Sequence, residues 1–183
     1  LREVLDEHEA TSRTNFKNDG RGFQREVEMS AEAYKRLGLA RLAKIDPPVR
    51  MIGGGSHRKV IFLANPWLDF AGVWTAHHGR ALFVEVKSHE SGRLPIESSG
   101  GISTTQMAAI CSWRMAGAAV AVLWRRRGYV RLWTPEMIFA KKASGEKSLV
   151  FEDGHIVKQG AGTLIWDFLA ILELQLWPKN SCE

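Results

Sequence analysis

Two short stretches hold the residues best suited to chemistry: Leu68-Asp69 and Val84-Glu85-Val86-Lys87. On a strand, alternation sends Glu85 and Lys87 to one face. Val84 and Val86 then point to the other face, into a core. Asp69 begins the preceding strand of a hairpin, so the two acids can meet across neighbouring strands. Burying Asp, Glu and Lys together is costly unless the charges are compensated. Two converging carboxylates make a hard-oxygen site for a divalent ion. An ammonium beside them can orient a water or offset charge on a phosphate. A third acid, Glu26, follows a glycine-containing stretch on the first predicted helix and is expected to converge on the same ion. These groups suit metal-dependent phosphodiester hydrolysis. Mg²⁺ is the expected ion, with Mn²⁺ as a substitute, because a bound ion of this kind acidifies water and withdraws charge from a phosphate oxygen. The plain alternative for an isolated Glu-x-Lys is a solvated outer face of a strand.

These residues need a scaffold, and 183 residues suffice for one domain with a real core. The expected division is an N-terminal arm at 1–18, a single domain at 19–177 and a tail at 178–183. Residues 19–22 read as a turn and 23–37 as a helix, with Phe23, Val27, Ala31 and Tyr34 on one face and Gly38 ending it. A first strand is expected at 39–45, stopped by Asp46-Pro47-Pro48. Segment 51–63 reads as a protruding basic excursion with extended flanks. Hairpins are expected at 68–75 with 80–88, and at 118–124 with 129–133. Between them, Ser103 or Thr104 caps a helix to about 116, with Met107, Ile110 and Cys111 on its apolar side. Thr134-Pro135-Glu136 opens a short helix, and Asp153-Gly154 makes a small turn. Segment 164–177 reads as an amphipathic helix with Leu164, Phe168, Leu172 and Leu176 on one face. The fold class is therefore α/β, a mixed central sheet flanked by helices.

Composition narrows the partners. A net charge of +5 favours a polyanion. Two cysteines, Cys111 and Cys182, have no metal-ligand spacing, which argues against structural zinc and a disulfide scaffold. A reducing, cytoplasmic compartment is the simplest inference. No signal peptide is visible, and no apolar run of about 20 residues could span a bilayer. Gly53-Gly54-Gly55-Ser56 lacks the G-x-x-x-x-G-K-[ST] pattern, so no nucleotide cofactor is expected. His77, His78 and His89 read as surface residues, and Arg125-Arg126-Arg127 most simply as a solvated hairpin tip that could also touch DNA.

Gly22-Phe23-Gln24-Arg25-Glu26, Leu68-Asp69, Glu85-Val86-Lys87 and Gln106 together resemble the PD-(D/E)xK nuclease superfamily. Within it, the chain looks like a RecU-type Holliday junction resolvase. Lys44-Ile45-Asp46-Pro47-Pro48-Val49, Asp69-Phe70-Ala71-Gly72-Val73-Trp74 and Leu94-Pro95-Ile96 are similar to segments of that family in order and spacing, and the likeness runs over roughly residues 20–172. Leu68 stands where the motif's name has proline. Glu28 competes with Glu26, but lies two residues further round the helix and cannot share its direction.

The resemblance implies a PD-(D/E)xK nuclease-like fold, with Glu26, Asp69 and Glu85 as metal-binding acids and Lys87 as catalytic lysine. It implies a homodimer that cuts opposed strands of a four-way, branched DNA, leaving 5′-phosphate and 3′-hydroxyl ends. The 51–63 excursion would correspond to a stalk entering the junction. Gln106 would hydrogen-bond the attacking water or the scissile phosphate; otherwise it is a helix-surface glutamine. Arg13, Lys17, Arg21, Arg58, Lys59 and Arg93 are the candidate DNA contacts, since phosphates are met by flexible cations. Two alternatives stand beside this reading: another endonuclease of the same superfamily, of restriction or repair type, and a non-catalytic junction-binding protein.

Overall fold

The structure is a computed structural model describing residues 19–46, 49–52, 59–62, 68–162 and 165–176. A six-stranded mixed sheet lies between two helical layers. Its strands are β1 (Arg41–Lys44), β4 (Phe70–Trp74), β5 (Arg80–Ser88), β7 (Ala119–Arg126), β8 (Tyr129–Trp133) and β10 (His155–Val157), in the spatial order β1-β4-β5-β7-β8-β10. Only β5 and β7 are parallel; the other neighbours are antiparallel. A parallel pair needs a crossover. Here α2 (Thr104–Met115) supplies it, running between β5 and β7. The remaining helices are α1 (Asp19–Arg36), α3 (Pro135–Ala143) and α4 (Phe168–Leu176). No described helix is long and apolar enough to cross a membrane.

Alternation along β5 divides the core in two. Leu82, Val84 and Val86 join Phe23, Val27 and Tyr34 of α1 and Phe168 and Leu172 of α4. Phe83 faces the other way, toward Met107 and Ile110 of α2, Ile138 of α3, and Val122 and Trp124 of β7. The apolar stripe expected on the first helix is buried throughout.

Several boundaries differ from expectation. Residues 19–22 are helical, not a turn. Both glycines there tolerate the helix on an exposed first turn, and Gly22 leaves room for the Arg125 guanidinium, 3.8 Å from where its Cβ would stand. Gly38 ends the helix at φ +71°, where a side chain would be strained. Cys111 is exposed, although it was expected on the apolar side of α2. The last helix starts at Phe168, because Trp166 forms a β-bridge with Gln159 instead of continuing the helix. Leu164, Trp177, the 1–18 arm and the 178–183 tail lie outside the described residues. In the basic excursion, β2 (Val49–Ile52) and β3 (Lys59–Phe62) pair antiparallel as their own two-stranded sheet. Its tip at 53–58, which includes Arg58, lies outside the described residues. A third small sheet pairs β6 (Arg93–Pro95) with β9 (Ser148–Val150).

Candidate active site

Register brings the two central acids together. Phe70 of β4 pairs with Val84 of β5, so Asp69, one residue before β4, arrives beside Glu85 and Val86. The Val86 backbone N–H donates to Asp69 Oδ2 at 2.8 Å. Glu85 stands on the α2 side of the sheet and is 1% exposed. Its Oε1 accepts from Lys87 Nζ at 2.9 Å and from Gln106 Nε2 at 2.5 Å. Its Oε2 is buried and makes no well-formed hydrogen bond, although the Asp69 backbone N–H and carboxyl lie near enough to act on Glu85. A carboxylate oxygen so placed is energetically expensive and calls for a counter-charge.

Electrostatics agree with the geometry. Burial pushes the Glu85 carboxyl up to about 7, with the neighbouring Asp69 charge adding to it and Lys87 opposing. Burial also raises Asp69, against the Val86 N–H and the Lys87 and Lys44 charges. A cation between the two carboxylates would relieve both shifts.

Gln106 reaches the site because of how α2 begins. Ser103 is the N-cap: its Oγ accepts from Gln106 N at 3.2 Å, and Gln106 Oε1 accepts from Ser103 N at 2.9 Å. This reciprocal capping box fixes the Gln106 amide. The same Oε1 accepts from Lys87 Nζ at 3.0 Å, while Nε2 donates to Glu85. The amide is thus engaged on both ends. Gln106 positions Lys87 and Glu85, where the expectation had it meeting water or phosphate. The Lys87 side chain remains 20% exposed.

Glu26 requires a correction. Its Oε1 accepts from Arg125 Nη1 at 2.7 Å and its Oε2 from Trp166 Nε1 at 2.8 Å. Both oxygens are occupied away from Asp69 and Glu85. Among the described residues no three acids, histidines or cysteines form a group that could hold a metal ion. The expected three-acid set is therefore not assembled. The α1 residue that does reach the site is Gln24, whose Nε2 lies 3.4 Å from Asp69 Oδ1. Lys44, the last residue of β1, acts electrostatically on Asp69 and lies 3.5 Å from Glu28.

The reason is rotation about the helix axis. Successive residues turn by about 100°. Gln24 and Glu28 flank the apolar stripe of Phe23, Val27, Ala31 and Tyr34 on one side, and Glu26 and Ser30 flank it on the other. The first flank faces β1 and Asp69. The second faces the end of β7 and the Trp166 segment, where Ser30 Oγ accepts from Trp166 N at 2.9 Å. Helical spacing could have paired Gln24 with Glu28; it could not say which flank meets Asp69.

The cation candidates fall in different places. Arg21 is exposed on the first turns of α1. Arg93 is exposed at the start of β6, its Nη1 3.3 Å from Ser148 Oγ. Lys59 opens β3. Arg13, Lys17 and Arg58 lie outside the described residues. The arginine triplet is not a uniformly solvated tip. Arg125 is 11% exposed, paired with Glu26 and stacked 5.0 Å over the Phe23 ring. His89, expected at the surface, is half-buried, with Nδ1 enclosed and unpartnered.

No protein-family model and no curated protein matches the chain. Among solved structures it is similar to Hjc, a Holliday junction resolvase from the archaeal hyperthermophile Archaeoglobus fulgidus, with a TM-score of 0.41 and 16% sequence identity, over 66% of this chain and 75% of that one.

Proposed function

We propose that this chain is a metal-dependent endodeoxyribonuclease of the PD-(D/E)xK type that resolves four-way DNA junctions as a homodimer. The observation that supports hydrolysis is the buried Glu85 carboxylate, its Oε2 without a well-formed hydrogen bond, beside Asp69 and Lys87. The donor set fits a hard divalent cation such as Mg²⁺ or Mn²⁺, which Asp69 and Glu85 would hold. When bound, the ion supplies charge withdrawal from the phosphate and activation of a water.

The protein's own groups do the positioning. Val86 N–H holds the Asp69 carboxylate in one orientation. Gln106, fixed by the α2 cap, holds Glu85 and Lys87. The Lys87 ammonium has three N–H donors, and Glu85 and Gln106 take two of them. The third is available to a phosphate oxygen whose negative charge grows in the transition state. Junction selectivity and the dimer rest on the RecU-like pattern of segments. A two-fold dimer would match two equivalent strands to be cut.

The test is cleavage of an immobile four-way junction beside linear duplex of the same sequence, in Mg²⁺ and in EDTA. Paired, metal-dependent nicks on opposed strands of the junction alone are expected. Sequence-specific cutting of the linear duplex would point to a restriction-type enzyme. Tight binding without cutting under any divalent ion would overturn the catalytic reading and leave a junction-binding module.

A further inference from the structure

Three consecutive arginines close the β7–β8 hairpin, and the structure gives them three different surroundings. Arg125 is enclosed between Glu26 and the Phe23 ring. Arg126 is tied down: its Nε donates to Glu90 O at 3.2 Å, its Nη1 lies 2.8 Å from Glu152, and its guanidinium sits 5.7 Å from the Phe151 ring centre. Arg127 is exposed, and no hydrogen bond or ion pair holds it among the described residues.

The backbone at Arg127 is unusual. Arg126 pairs with Tyr129, so the loop has two residues, Arg127 and Gly128. Their φ angles are +48° and +80°. This is the sign pattern of a type I′ turn, whose first position favours Asn, Asp or Gly. A side chain as large as arginine is disfavoured there. The fold thus keeps a strained residue where a better turn former would be more stable. Strain retained at an exposed, unpartnered cation is grounds for a functional role.

Position supplies the role. Strands β5 and β7 run parallel, and Lys87 pairs in register with Trp124. Arg127 follows Trp124 by three residues, about 10 Å along the strand, on the same end of the sheet as Lys87. On each strand of duplex DNA a phosphate recurs every 3.4 Å or so of helix axis, so a cation about 10 Å along the strand from Lys87 can reach a phosphate of the same duplex. The chain leaving β5 passes here too: Gly92, next to Arg93, comes within 3.6 Å of the Arg126 guanidinium, measured from where its Cβ would stand. Resting on the nuclease reading above, we infer that Arg127 is a DNA phosphate anchor, held out from the hairpin turn beside the active site, and that Arg125 and Arg126 are structural.

The test compares the full-length wild type with R127N and R127K. Binding to a labelled four-way junction is measured in Ca²⁺ across about 50 to 200 mM salt, with thermal melts alongside. Removing one phosphate contact should lower the salt slope by about 0.9, so that R127N loses roughly 3.5-fold less affinity than wild type over that salt range. At the low-salt end R127N should bind more weakly than wild type, and R127K should keep most of the affinity. R127N should also melt at a higher temperature, because asparagine suits the turn. A more stable R127N with unchanged affinity and salt slope would overturn the anchor. So would an affinity loss shared by R127K and accompanied by a lower melting temperature, which would mark a structural role. Wild-type cleavage in Mg²⁺, run in parallel, separates the two claims. If the wild type cuts and R127N binds as wild type, only the anchor fails. If the wild type neither binds nor cuts DNA, both fail.

Discussion

Gln24 and Glu26 lie two residues apart on α1 and serve opposite sides of it. The Gln24 amide lies 3.4 Å from Asp69, while the Glu26 carboxylate closes on Arg125 and Trp166 at 2.7 and 2.8 Å. The acid expected to complete the site thus pairs with Arg125 and Trp166, and a neutral amide occupies the place expected for it.

Glu26→Ala leaves Arg125 and the Trp166 indole N–H without their acceptor. The expected loss is about 1–3 kcal/mol. For a chain of this size that is a melting temperature lower by roughly 3–10 °C. Affinity for Mg²⁺, read by calorimetric titration, should be little changed. A large drop in Mg²⁺ affinity with unchanged stability would return Glu26 to the metal site.

Gln24→Glu brings a third carboxylate to Asp69. In the ion-free protein this adds like-charge repulsion, so the melting temperature in EDTA should fall. With Mg²⁺ present the same charge should tighten ion binding, measurable as a lower half-saturation concentration. No change in either quantity would mean that Gln24 does not face the site in solution.

Substitution of the central group should separate cutting from binding. Asp69→Asn and Glu85→Gln should abolish metal-dependent cleavage and leave junction binding near that of wild type. Lys87→Ala should slow cleavage by about 100- to 1,000-fold, as for loss of one transition-state donor. Gln106→Ala removes one half of the α2 capping box and the tether on Lys87, so it should lower activity and stability together. Cleavage by Glu85→Gln at the wild-type rate would refute this assignment of the site.

The ion-free protein should lose stability as pH rises. Glu85 titrates at about 7 in the fold. In the unfolded chain it titrates near about 4.3. Between those values the folded state holds a proton that the unfolded state has released, so the unfolding free energy falls with increasing pH. Asp69 is raised as well and acts with the same sign. The loss from about pH 4 to above pH 7 should be on the order of 4 kcal/mol. Melts in EDTA across this range should show the slope, Glu85→Gln should flatten it, and saturating Mg²⁺ should raise the melting temperature more at pH 8 than at pH 6. An unchanged slope in Glu85→Gln would place the titration elsewhere.

Much of the architecture was legible because short-range physics dictates it. Period-two alternation put Val84 and Val86 in one core and left Glu85 and Lys87 on the opposite face, as observed. Glycine and proline marked most of the element ends, and Ser103 marked the start of α2. The hairpin register that brings Asp69 beside Glu85 follows from the same pattern. What the chain's order of residues left open was rotation and partnership. An amphipathic helix has two flanks beside its apolar stripe, and nothing local distinguishes them. Only the packing of α1 on the sheet turned Gln24 toward Asp69 and Glu26 toward Arg125. Likewise three adjacent arginines are alike as letters. The pairing of β7 with β8 and the approach of Glu26, Glu152 and Phe151 buried two of them and left Arg127 in solvent. Those contacts join residues far apart in the chain, and they exist only once the sheet and its helices have closed.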